Sequence, residues 1–210
     1  MNNLSIGSII TNGFKIGFKN IIQVIGALIL YVLTVWIPYL NVGTTIGIYS
    51  IVPALSKGEH FKPTSIFASE NRDKMGGFFL LLGFLYLGVT IGMIFLVIPA
   101  IVIGVAWGLA IYLFIDQGTS PLESLSKSYE LTYGHKWTIF LGVFILSLII
   151  GIVVAILTFI GQMFSEAFAI VLTVIAYLIA IPVCVGAYAH IYGVLAGNNA
   201  APYEAEGNFA

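Results

Sequence analysis

Asp116 closes a long apolar run in the order Ile-Asp-Gln-Gly-Thr-Ser, and an acid at the C-terminal end of a helix opposes the negative pole of its dipole. A carboxylate at the edge of an apolar segment is a candidate for a transport-linked acid that would pass a proton or cation. Asp-Gln-Gly is equally ordinary turn chemistry, and that is the simpler reading. His60, His135 and His190, with Glu59, could in principle converge on a metal, but no pair has the i,i+4 spacing of helical ligands. Interfacial hydrogen bonding suits them better, so no metal is expected. There is no G-x-S-x-G, no H-E-x-x-H, no P-loop and no pair of carboxylates within an apolar run. These residues point to a non-enzymatic protein without a cofactor.

A second set suits binding at a membrane surface. Lys15, Lys19, Lys127, His135, Lys136 and Trp137 sit beside apolar runs, where a cation meets phosphate and an indole ring prefers the boundary. They are expected at lipid headgroup depth, with membrane lipids, anionic phospholipids among them, as partners. Gly43/Gly47, Gly88/Gly92 and Gly104/Gly108 are three G-x-x-x-G pairs, which strip side chains from one helix face so that a neighbouring backbone can approach. Intramolecular packing is the first reading; a homo-oligomer or a membrane-protein partner is the alternative. Hydroxyls in the apolar runs, such as Thr44, Thr158 and Thr173, can bond their own helix backbone and need no function.

The elements that must carry these residues follow from composition. Of 210 residues, 60% are hydrophobic and 8% charged, against roughly 45–50% apolar and about 25% charged in a soluble domain. A water-soluble monomer is excluded. Eight Lys+Arg against nine Asp+Glu leave no basic surface for nucleic acid. A single cysteine, Cys184, rules out a disulfide framework. The first twenty residues lack the order of a secretory signal and are expected to stay in the mature protein.

A membrane-crossing helix needs about 20 apolar residues, and the chain offers runs near 20–37, 38–56, 76–97, 99–116, 137–160 and 168–195. The expected fold is therefore an all-α integral membrane protein: six transmembrane helices in three hairpins, residues 1–196 forming one domain and 197–210 a disordered polar tail. Ile6, Ile10, Phe14 and Phe18 oppose Ser8, Thr11, Asn12, Lys15 and Lys19, which predicts an amphipathic interfacial helix near 4–19. In the stretch SPLESLSKSYELTYGHKW at 120–137, Ser120, Pro121 and Glu123 form a capping box with proline at the first helical position. Glu123 and Lys127 stand at i,i+4, and Gly134 is placed to end the helix, so a second interfacial helix is expected near 120–133.

Pro38 and Pro99 each have glycines five and nine positions later, an echo offset by 61 residues that either internal repetition or tight-turn chemistry explains. With six spans, all eight cations fall on one face, which the positive-inside rule assigns to the cytoplasm together with both termini. The short outer turns also admit hairpins that enter and leave by the same face.

Val97-Ile-Pro-Ala-Ile101 and the run AWGLAIYLFIDQGTSPLESLSKSYELTYGHKWTIF at 106–140 resemble a broad family of bacterial six-span membrane proteins, which includes the membrane domain attached to some glycerophosphodiester phosphodiesterases. The likeness covers most of residues 5–195, with Pro121, Leu125, Ser128, Leu131, Gly134, Trp137 and Phe140 in matching places; Ala100 stands where that pattern has glycine. It implies fold and a bacterial inner-membrane location. The hydrolytic chemistry of such phosphodiesterases belongs to a separate soluble barrel and does not transfer. The functional expectation is a scaffold or accessory component in envelope or lipid processes, with a transporter or channel for a lipid or small amphiphile as the alternative.

Overall fold

The computed structural model describes residues 4–197, so the tail expected to be disordered lies, but for Gly197, outside the described residues. The described chain is helical throughout: α1 (Ile6–Lys19), α2 (Ile21–Thr34), α3 (Pro38–Tyr49), α4 (Ile51–Ser56), a 3-10 turn (Pro63–Phe67), α5 (Ser69–Asp73), α6 (Met75–Ile94), α7 (Val97–Ala106), α8 (Ala110–Gln117), α9 (Pro121–Thr132), α10 (Lys136–Gln162) and α11 (Glu166–Ala196). Four segments are long and apolar enough to cross a membrane: α6, α7 with α8, α10, and α11. Their apolar side chains stay largely outside; Tyr86, Ile94, Ile98, Phe159 and Ile170 are exposed, as expected of surfaces that meet lipid.

The first two expected spans take another course. Residues 20–37 hold only the 14-residue α2, about 21 Å at 1.5 Å per residue, short of a hydrocarbon core of about 30 Å. α2 meets the length requirement only together with α1, from which it bends by 74°. Residues 38–56 are divided at Ser50, because Pro53 has no N–H to give the Tyr49 carbonyl. Among the described residues there are thus four such segments, or five if the bent pair counts as one, and the sequence expectation of six is not reached.

α1 packs lengthwise on α11. Ser8 and Asn12 meet His190, Gly13 meets Ala187, and Gly17 meets Val183 and Pro182, so the two helices run antiparallel. The approach is close enough to require glycine on both sides. A Cβ on Gly17 would stand 2.6 Å from the Pro182 carbonyl oxygen, and one on Gly186 would stand 2.5 Å from that of Gly13. The face of α1 that carries Ile9, Gly13, Ile16 and Gly17 is accordingly buried in protein. Since α1 follows α11, the bend turns α2 nearly crosswise to the spanning helices.

The connector between α4 and α6 folds back onto α2 and α3. Pro63 lies against Gly26, Ile66 against Gly47, and the Arg72 stem against Gly43. Ile66 is fully buried, and Asn71 donates from Nδ2 to the Ile66 carbonyl at 3.2 Å. α3 therefore has the charged helix α5, with Glu70, Arg72 and Asp73, at its side.

α6 and α7 form a tight hairpin in which Gly88 receives the Trp107 ring and Gly92 the Ala100 backbone. At their turn Leu96 takes φ +110°, a conformation that L residues rarely adopt. Gly161 against Ala169, and Thr158 bonded to Thr173 at 2.7 Å, close the α10–α11 hairpin.

Candidate functional site

The expected interfacial stretch forms α9, and its start is as read from the sequence. The Glu123 N–H donates to Ser120 Oγ at 3.3 Å, the Ser120 N–H donates to Glu123 Oε2 at 3.4 Å, and Pro121 occupies the first turn. Lys127 departs from the expected pair: its ammonium donates to Gln117 Oε1 rather than reaching Glu123.

The inward face of α9 is polar. Ser124, Ser128 and Thr132 recur every four residues and are fully buried beside Leu125. Ser128 and Thr132 meet the gap between α7 and α8, where the helix tightens over Trp107–Leu109 and Ala110 donates to the Trp107 carbonyl instead of that of Ala106. Two backbone groups are thereby freed. Ser128 answers both: its hydroxyl donates to the Ala106 carbonyl at 2.7 Å and accepts from the Leu109 N–H at 3.2 Å. Thr132 adds a longer donor to Ala106 at 3.3 Å. Buried backbone groups need such partners, and a serine hydroxyl can both give and accept.

The outward flank of α9 carries Leu122, Tyr129 and Tyr133. The Lys136 ammonium lies over the Tyr129 ring, 4.1 Å from its centroid, and 6.0 Å from that of Tyr133, within cation–π range. Trp137 is exposed beside it and packs edge-on to Phe140, which stacks on Phe144. Of the six residues expected at headgroup depth, Lys136 thus lies on the Tyr129–Tyr133 shelf, and Trp137 follows it against Phe140. His135 stands at the N-cap position of α10 without a side-chain cap bond, Lys127 is turned to Gln117, and Lys15 and Lys19 lie on the far half of α1.

A comparison with known protein families, curated proteins and solved structures gives no match.

Asp116 stands at the same end of the bundle, 13% exposed, between Lys57 and Tyr192. The Lys57 ammonium pairs with one carboxylate oxygen and the Tyr192 hydroxyl donates to the other at 2.7 Å. Nearby, Lys74 donates to the Ile115 carbonyl at 2.8 Å. The Lys57 and Lys74 ammonium groups at this helix end offset the unfavourable dipole geometry noted for Asp116. Tyr192 packs edge-on to Tyr112, which also meets Tyr49 and Tyr188. A recess of about 260 Å³ beside Tyr112 and Tyr188 reaches Cys184 and Ile150.

The glycine pairs part company. Gly43, Gly47, Gly88 and Gly92 are each covered by another segment, whereas a Cβ on Gly104 would meet nothing within 4 Å and one on Gly108 only its own helix. Gly104 and Gly108 instead floor a lateral groove of about 370 Å³ between α7, α10 and α11. His190 bonds Ser8 at 3.2 Å and Asn12 at 3.5 Å, apart from His60 and His135. Among the described residues, no three His, Cys, Asp or Glu side chains cluster.

Sequence reasoning missed the Ser128 contacts and the α1–α11 crossing. Ser124-x-x-x-Ser128-x-x-x-Thr132 and Gly13-x-x-x-Gly17 were the visible signals.

Proposed function

We propose that the chain is a multi-pass protein of a bacterial cytoplasmic membrane that acts as a non-enzymatic scaffold or accessory component in lipid or envelope processes. Four spans cross the bilayer, and α2 and α3 lie in the interface of the face that holds the termini. α5 supports that placement: Glu70, Arg72 and Asp73 run beside α3, and a hairpin crossing there would draw them into hydrocarbon. Trp36 and Tyr39, exposed at the hairpin tip, suit the headgroup boundary. All eight cations then precede the first span, join the second to the third, or lie in the connectors at that same end, as the positive-inside rule requires of the cytoplasm. The resemblance to six-span bacterial proteins supports location, with the first hairpin as the point of departure.

The observation that carries the scaffold reading is how the hydroxyls of the apolar helices are used. Thr34, Thr44, Thr45, Ser50 and Thr173 donate to carbonyls three or four residues back, and Ser128 is committed to the helix gap. Hydroxyls used in this way stabilise helices rather than line a conduit. The alternative, transport of a lipid or small amphiphile, draws on one observation: Asp116 is joined through Tyr192 and Tyr112 to the recess at Cys184. Proteoliposomes carrying NBD-labelled phospholipid distinguish the two. The scaffold reading expects dithionite to bleach half the label, as in empty vesicles; bleaching of both leaflets, abolished by Asp116→Asn, would replace it with transport.

A further inference from the structure

The groove floored by Gly104 and Gly108 has a cation at one end. Lys136, Phe140, Val143, Phe144 and Ser147 recur at three- and four-residue intervals and so form one stripe of α10. The last four line the groove, and Lys136 stands on the aromatic shelf above them. From Lys136 to Ser147 the stripe descends about 16 Å at 1.5 Å per residue, which is roughly one leaflet, half of a hydrocarbon core of about 30 Å. Tyr188 and Ile191 form the inner wall. Lys136 has no carboxylate within ion-pair distance among the described residues; its contacts are the Tyr129 and Tyr133 rings.

We propose that this groove is a binding site for a single anionic phospholipid, one acyl chain lying over Gly104 and Gly108 and the phosphate meeting Lys136 on the Tyr129–Tyr133 shelf. The proposal rests on the membrane reading above and makes it specific. Three features select this occupant. The length matches one chain of one leaflet, the walls are apolar along that length, and the unopposed cation lies at headgroup level rather than at mid-depth. A helix from a second copy could use the glycine floor, but it would leave the ammonium without a counter-charge. Gly104 matters here for what it leaves open. The same residue type that admits a neighbouring backbone at Gly47 and Gly92 here admits a flexible chain.

The test uses the full chain, purified in a mild detergent and titrated with phosphatidylglycerol or phosphatidylcholine, with bound lipid counted by native mass spectrometry. The parent should retain one phosphatidylglycerol and prefer it by roughly fivefold, the effect of one cation at an anionic headgroup. Lys136→Gln should bring the two lipids level. Gly104→Leu, whose side chain points into open space, and Ser147→Phe should each fill the groove and lose the retained lipid where the parent is saturated. Gly83→Leu, at an equally open glycine on α6, should match the parent.

Unchanged retention in both groove variants would overturn the proposal, as would a dimer in the parent that Gly104→Leu converts to monomer without altering lipid. A preference removed by Lys136→Gln but insensitive to groove filling would also overturn it, leaving a surface contact in its place. The scaffold reading stands or falls separately, on the bleaching experiment.

Discussion

Ser128 serves two backbone groups with one hydroxyl, and removing it leaves the Leu109 N–H without that partner and the Ala106 carbonyl with only the longer Thr132 donor. Ser128→Ala is expected to cost about 1–3 kcal/mol, the usual penalty for an unsatisfied buried group, read as a lower melting temperature in detergent with the helical circular dichroism retained. Ser124→Ala should cost less, because Ser124 bonds its own helix at the Ser120 carbonyl and the adjacent Thr119 hydroxyl. Asp116→Asn keeps an acceptor for the Tyr192 hydroxyl and removes the ion pair with Lys57, whose side chain is 47% exposed. A pair whose cation is solvent-screened contributes about 1 kcal/mol, and the Tyr192 bond is kept, so the change in melting temperature should be small. A variant that is stable but alters flux would favour the transport reading; a stable and silent one favours the scaffold. The capping of α9 was legible at this scale because Ser120, Pro121 and Glu123 act on neighbours in sequence. The role of Ser128 was not, since its partners lie about twenty residues away and exist only because the helix breaks at Trp107–Leu109.

Elements differ in how much of their course the sequence determines. α6, α10 and α11 were readable as uninterrupted apolar runs, and the structure gives each as a single helix. α1 and α2 reach the length of a span only as a pair, and the bend between them was not legible because hydropathy does not register direction: nothing in the pattern around Asn20 marks the point where the axis turns by 74°. Lys15 and Lys19 are exposed, but Ser8 and Asn12, expected on the same side, bond His190, and the face of Gly13 and Gly17 meets α11. Gly17→Ala or Gly186→Ala would place a methyl group 2.5–2.6 Å from backbone atoms, and rigid backbone cannot yield as a side-chain tip can. Each should destabilise by about 1–3 kcal/mol, the range for overpacking. Gly7→Ala, in the same helix with nothing within 4 Å, should be neutral or stabilising by about 0.5–1 kcal/mol. Thermal melts of the three variants beside the parent would test the crossing; equal loss in all three would point to helix propensity instead.

For the whole molecule, the number of crossings sets which side each connector occupies. In a Cys184→Ala background, single cysteines at Ser65 and Ser126 should react with an impermeant thiol reagent only from the cytoplasmic side, and one at Gln162 only from outside. Asn41 is decisive. Six spans place it outside, whereas the four-span arrangement with α2 and α3 in the interface keeps it from external reagent; labelling from outside would restore the six-span topology. The broken α7–α8 segment also has a bearing on how the protein is made. Its gap is satisfied by a residue that the ribosome adds 19 positions after Leu109, so a segment inserting as proposed would enter the bilayer with two peptide groups unpaired. Each such group in hydrocarbon costs several kcal/mol. The second hairpin should therefore reach its final depth only after α9 has been synthesised, and nascent chains arrested before Ser128 should leave Leu109 shallower and more open to reagent than chains arrested after Thr132.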